Sequence, residues 1–221
     1  MKRIYDHHRN GSWAAHLRRQ RIQFFRKLAE SFPKPVSILD AGGTENFWVN
    51  MGFAGSPDFR ITILNLEPAE THYENLKSIA GDVRDMSCFQ NRRFDVVFSN
   101  SVIEHVGDFE DQARMAGEIR RVGKSFFVQT PNRYFPVEPH FVFPFFQFLP
   151  VSARALLIRH FNLGWRHKIP DPALARKEAE SVRLLTRGEI ESLFPGARLR
   201  TERFLGMAKS FMVYGGEFKA L

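Results

Sequence analysis

Residues 38–48 read ILDAGGTENFW. An apolar run ends in an acid, two glycines and a threonine, and a helix-like stretch follows. A turn of this kind, at the end of a buried strand, suits a nucleotide-like ligand. Gly42 and Gly43 let the backbone approach that ligand where a Cβ would collide. The dinucleotide pattern G-x-G-x-x-G is not met, because Asn46 stands where its last glycine belongs, and no Gly-Lys-Ser/Thr follows to make a P-loop. Asp40 offers a carboxylate to a nearby cationic group and would repel a pyrophosphate.

The flanking segments give this turn its setting. VSILD (36–40), FRITILNLE (59–67), LKSIAGD (76–82), RFDVVFSN (93–100) and KSFFVQTP (124–131) read as buried strands. Little room remains for a helix between the second and third. Residues 108–121 form a helix with Asp108 as N-cap and a stripe of Phe109, Ala113, Ala116 and Ile119. Near-continuous apolar strands alternating with helices imply a parallel sheet covered on both faces. After a helix at 186–194, opened by a Thr186/Glu189 capping box, ARLRTERFLG and SFMVYGGEFKA pair as an antiparallel hairpin. Upstream, residues 12–32 read as an amphipathic basic helix capped by Ser12, with Trp13, Leu17, Phe24 and Leu28 on its apolar stripe and Arg21 interrupting it. Packing on the domain is preferred over membrane docking for that stripe.

The 221 residues fit one domain, 1–221, with insertions. One cysteine, Cys88, excludes an internal disulfide framework and suits a reducing compartment, the cytoplasm. The N-terminus has no apolar signal-like stretch and no run reaches the length of a membrane span. The net charge of +8 is uneven: +6 over residues 1–30, −4 over 31–132, +5 over 133–187 and +1 over the remainder. Basic flanks around an acidic middle fit solvated faces, an anionic substrate, a peripheral contact with an anionic membrane, or RNA.

Residues 131–187 are longer than a crossover requires. Seven phenylalanines fall between 135 and 161, and prolines at 136, 139, 144 and 150 exclude one long helix. Only VSARALLIRHF reads as a short helix. This insertion is either a local satellite core or a hydrophobic lid over the substrate; the lid is the expectation carried forward.

Acids close three successive strands: Asp40, Glu67 and Asp82. Glu67 can accept both hydroxyls of a ribose. Asp82 can accept from an adenine amino group, with the Val83 N–H near a ring nitrogen. With no cation among them, the three suit an adenosine joined to an amino acid, as in S-adenosylmethionine. ILDAGGT, LNLEP, AGDVRDM, FDVVFSNSVIEHV and FVQTPNRYFPVEPH fall in the order of the motifs of class I S-adenosylmethionine-dependent methyltransferases, and the last two resemble the small-molecule branch called type 11. The first motif departs from the D-x-G-x-G-x-G of that family at Glu45 and Asn46. The resemblance implies an α/β fold: a Rossmann-like, seven-stranded, mostly parallel sheet with helices on both faces and a C-terminal antiparallel hairpin. It implies S-adenosyl-L-methionine as cofactor, with Asp40 and Gly42 at its methionine part, Glu67 at the ribose, Asp82 and Val83 at the adenine, and Asn100 or Ser101 beneath the sulfonium.

Methyl transfer from a sulfonium needs alignment, and a hydroxyl acceptor also needs its proton removed. His105, just past the fourth strand, is the candidate base; Glu104 is the weaker alternative and His140 the next. The remaining histidines show no metal-like grouping beyond the adjacent His7 and His8, so no metal is expected. SNSV differs from the N/D-P-P-Y/F motif of base-amino methyltransferases. The expected acceptor is therefore small or amphiphilic, methylated on oxygen. RNA methylation and a non-catalytic cofactor-binding module are the alternatives, with nucleic acid the less favoured partner. A nicotinamide oxidoreductase fits poorly, because the glycine pattern fails.

Overall fold

The computed structural model describes residues 13–219. Ser12, expected as an N-cap, and the adjacent His7 and His8 lie outside them. The element order is α1 (Trp13–Ala29), β1 (Val36–Ala41), α2 (Glu45–Asn50), β2 (Phe59–Asn65), β3 (Leu76–Ala80), β4 (Phe94–Asn100), a 3-10 turn (Ile103–His105), α3 (Phe109–Val122), β5 (Gly123–Pro131), β6 (Val137–Glu138), β7 (Phe143–Pro144), a second 3-10 turn (Phe146–Phe148), α4 (Val151–His160), α5 (Pro172–Glu180), α6 (Arg187–Leu193), β8 (Arg198–Phe204) and β9 (Met207–Gly216).

Seven strands form one sheet in the order β3-β2-β1-β4-β5-β9-β8. β1 pairs in parallel with β2 on one side, Asp40 opposite Ile63, and with β4 on the other, Asp40 opposite Phe98. The chain thus reverses its direction of travel across the sheet at β1, and a crevice opens at the carboxyl ends of β1 and β4. β9 runs antiparallel to both β5 and β8, as the hairpin reading expects. β8 forms one margin of the sheet and exposes Arg198, Arg200 and Arg203.

Alternate residues of the strands feed two cores. Leu39, Val97 and Val128 join Met115, Ile119, Ile190 and Leu193 of α3 and α6 on one face. Ile38, Phe98 and Phe127 join Ile22, Phe25 and Leu28 of α1 and Trp48 of α2 on the other. Both faces are covered, which is why these strands read as unbroken apolar runs. Phe25 is the anchor of α1. Its ring lies 4.7 Å from that of Phe98 and 5.3 Å from that of Phe127, whereas Phe24 is only half-buried. Capping boxes open α3 at Asp108 and α6 at Thr186.

The insertion leaves and rejoins the sheet at one stem, where Asn132 bridges Leu185. Inside it, Phe141, Phe146, Ile158, Leu163, Ala175 and Ala179 form a separate core. The region is therefore a satellite layer with its own packing. α5 is a helix the sequence reading leaves unassigned; Asp171 caps it by accepting from the Leu174 N–H, and Pro172 occupies its first turn. Among the described residues, no helix is long and apolar enough to cross a membrane.

Candidate active site

A cleft of about 390 Å³ opens at the carboxyl ends of β1 to β4, within the range of small-molecule sites. Gly42, Asn65, Leu66, Asp82, Val83, Ser101 and His105 are on its wall. Gly42 holds φ +88°, and a Cβ there would stand 2.5 Å from Val102 Cγ1. The turn after β1 therefore tolerates no side chain at this point, in keeping with a backbone that approaches a ligand. Ser101 also sits in the left-handed region, φ 55°, and donates its hydroxyl to Gln129 Oε1 at 3.0 Å. Such strain in a non-glycine residue persists where the surroundings hold it, commonly at functional sites.

The structure places the expected cofactor residues unequally. Gly42, Asp82, Val83 and Ser101 line the cleft. Glu67 is exposed and follows Leu66, the last residue of that rim on the cleft wall. Asp40 does not face the cleft. Its carboxylate is sealed beneath Gly43, whose added Cβ would fall 1.7 Å from Asp40 Oδ2, and Trp48 Nε1–H donates to that oxygen at 2.6 Å. Asp40 Oδ1 has no hydrogen-bond partner, and burial pushes the carboxyl pKa up to about 7 against the pull of the Trp48 bond. Asn100 also faces away, accepting from Arg21 Nη1.

One expectation is corrected outright: a cation does stand among the acids. Arg84 donates to Asp82 from Nε and Nη2, the latter at 2.6 Å, and its hydrogen bond holds the Asp82 carboxyl below its usual range. A two-residue spacing in a turn suffices to close that pair.

The three candidate catalytic residues come together. His105 ends the 3-10 turn after β4, with an exposed edge, and its Nε2 lies 3.0 Å from His140 Nε2. His140 Nδ1 is 2.6 Å from Glu138 Oε1, and Glu138 Oε2 accepts the Phe141 N–H at 2.6 Å. Glu104 is wholly buried; Oε2 accepts from the Thr130 hydroxyl at 2.9 Å, while Oε1 has no hydrogen-bond donor and faces His140 Nε2 at 4.0 Å. Burial raises the Glu104 pKa, against His140 and Thr130. Burial disfavours charge on His140, but the hydrogen bond and charge of Glu138, with Glu104 behind them, outweigh it and hold its pKa above the ordinary value. The His105 pKa falls to about 4 through crowding of its ring away from water, then through repulsion by His140.

Sequence reading gives no role to Glu138, or to a second polar network under α1. Arg21 is buried and forms a two-pronged ion pair with Glu202, Nε–Oε1 3.0 Å and Nη2–Oε2 2.6 Å, while Nη1 reaches Gln129 Oε1 at 2.6 Å. The arginine that interrupts the apolar stripe is therefore the group tying α1 to the strand ends beside Ser101. Its only signal in the sequence is a charge where the helix period asks for an apolar residue.

Comparison with known proteins bears on this arrangement. Residues 58–125 match the family described as the methyltransferase domain, of the type 11 group. The match covers under a third of the chain. The matched stretch runs from β2 into β5 and contains Glu67, Asp82, Val83, Asn100, Ser101, Glu104 and His105. The uncharacterized protein Rv1509 of Mycobacterium tuberculosis is 35% identical over 65 residues, 29% of this chain and 22% of that protein; the chain thus matches about a fifth of the relative's length. Among solved structures, Burkholderia thailandensis 1,6-didemethyltoxoflavin-N1-methyltransferase, with bound S-adenosylhomocysteine, superposes with a TM-score of 0.53 at 14% identity, over 90% of this chain and 76% of that one. A methyltransferase from the Haloferax volcanii complex with the Trm112 methyltransferase activator gives 0.54 at 14% identity, over 99% of both chains. At these identities the likeness is one of fold: the chain has the Rossmann-like architecture that the strand order describes.

Proposed function

We propose that the protein methylates an oxygen of a small or amphiphilic acceptor, using S-adenosyl-L-methionine. The residues present fit that cofactor in two respects. The Gly42 turn, where Val102 leaves no room for a Cβ, brings bare backbone to the cleft wall, and the cleft runs from it to Asp82 and Val83, on the side where an adenine belongs. When bound, S-adenosylmethionine supplies a methyl group on a sulfonium, already activated for in-line displacement. The chain contributes alignment and, for a hydroxyl acceptor, a place for the proton. The observation that carries the reading is His105 on the cleft wall with His140 and Glu138 in line behind it. The acceptor's proton passes to the His105–His140–Glu138 chain, in which Glu138 fixes His140 and His140 holds the His105 ring at Nε2.

Exposed Tyr134, Phe145, Phe148 and Phe161 on the insertion favour an acceptor with an apolar part, and with it the role of residues 131–187 as a lid and a peripheral contact with a membrane. The decisive experiment incubates the protein with methyl-labelled cofactor and fractionated cell extract. Label in lipid or small solutes supports the proposal. Label in RNA favours the second reading, to which the exposed Arg19 and Lys27 of α1 lend weight; absence of turnover with retained binding favours a non-catalytic module. Glu67→Ala is expected to weaken cofactor binding by about 1–3 kcal/mol, the scale of a lost charged acceptor, and unchanged affinity in calorimetry removes Glu67 from the site.

A further inference from the structure

The cluster of Glu104, His105 and His140 contains more than a proton path needs. The ligand-capable atoms of these three residues all lie within 4.8 Å of one another. Two nitrogens 3.0 Å apart subtend about 90° at an ion about 2.1 Å from each, the distance of a metal–imidazole bond. Glu104 Oε1 is buried, without a donor, and directed at the same point. An unpartnered carboxylate oxygen in the interior is costly, and an ion would satisfy it. The fourth observation is independent of these. A carboxylate only accepts, so the 2.6 Å contact puts the proton of neutral His140 on Nδ1, toward Glu138, and leaves the Nε2 lone pair facing His105 and Glu104. A histidine held from behind by a carboxylate, with its other nitrogen free, is the usual arrangement behind a metal.

We propose that Glu104, His105 and His140 bind one divalent transition-metal ion, with Glu138 orienting His140. Two imidazoles and a carboxylate suit manganese, iron, cobalt or zinc rather than calcium. The three ligand atoms lie within 4.8 Å of one another, against the about 4.2 Å that two ligands can span across an ion, so binding draws the triad in by about half an ångström at most. His105, with its exposed edge, supplies that movement. Three protein ligands leave positions open, and His105 lies on the cleft wall, so an acceptor oxygen can reach the ion. That last role rests on the methyl-transfer reading, and in the ion-bound form it takes the place of His105 as base; ion binding itself rests on neither.

The test uses the whole chain, stripped with chelator and titrated with cobalt(II), followed by visible absorption and equilibrium dialysis without donor or acceptor. One ion per chain is expected. His105→Ala and His140→Ala should each lower affinity at least about 100-fold, and Glu138→Gln about 10- to 100-fold with the stoichiometry kept. A His7→Ala/His8→Ala double variant should bind as the parent does. The ion should raise the melting temperature of the parent and leave that of His105→Ala, a variant at an exposed position, unmoved. Absence of stoichiometric binding, affinity that survives both His105→Ala and His140→Ala, or affinity lost with His7 and His8 overturns the proposal. Because no turnover is read, a failed search for an acceptor leaves this result intact.

Discussion

Asp40 is the residue whose position departs furthest from what its place in the motif suggests. Its pKa of about 7 in the folded chain lies above the ordinary carboxylate value, so folding favours the protonated form. The parent's stability is then full below about pH 4, declines as pH rises toward 7 and is level above it. Asparagine at this position does not titrate and can still accept from Trp48. Asp40→Asn is expected to be more stable than the parent by about 4 kcal/mol at pH 8 and by almost nothing at pH 4, the size that a rise from 3.8 to about 7 implies; urea titrations at the two pH values read it. Equal differences at both would mean that Asp40 is ionised at no cost. Arg21 poses the opposite case. Removing one partner of a buried ion pair strands the other, so Arg21→Met should cost about 3–5 kcal/mol, and Glu202→Leu added to it should recover most of that loss. Neither side chain's surroundings were legible in the sequence. A strand end tells which residue types gather there, whereas the direction in which each carboxylate points is set by partners such as Trp48, Arg84 and Arg21. Glu138 and His140 are separated from His105 by an entire strand and loop, and no spacing rule connects them.

Elements were more legible than contacts, for a physical reason. β1, β2, β4 and β5 are buried on both faces, so their apolar runs stand out, and α3 and α6 announce themselves through capping boxes that the structure closes. α5 was not read because its surroundings are rich in proline and aromatics, although Asp171 followed by Pro172 is a start signal with a mechanism. The turn after β1 gives the sharpest prediction at this scale. Gly42→Ala forces a Cβ against Val102 in a left-handed conformation. Calorimetry should find cofactor affinity down at least about tenfold, or ~1.4 kcal/mol, with the thermal transition only modestly lowered. Wild-type affinity in that variant would detach the turn from the ligand.

Across the whole molecule, the sheet with its two faces forms one cooperative body, and the excursion from Asn132 to Leu185 carries a core of its own. Regions with few contacts to the main body open at lower free energy. Brief protease treatment of the native chain should therefore cut first between α4 and α5, within residues 161–171, and Phe146→Ala should hasten that cut while leaving denaturation of the sheet nearly unchanged. Simultaneous loss of both would mean that the excursion is welded to the sheet. The guanidinium-studded rim formed by Arg198, Arg200 and Arg203 has a consequence beyond this chain. An unpaired strand is an invitation to a strand from another molecule, and three like charges along it repel the identical rim of a second copy. Neutralising that trio should let concentrated solutions cloud or form fibres, visible as rising light scatter, with no change in how the isolated chain folds.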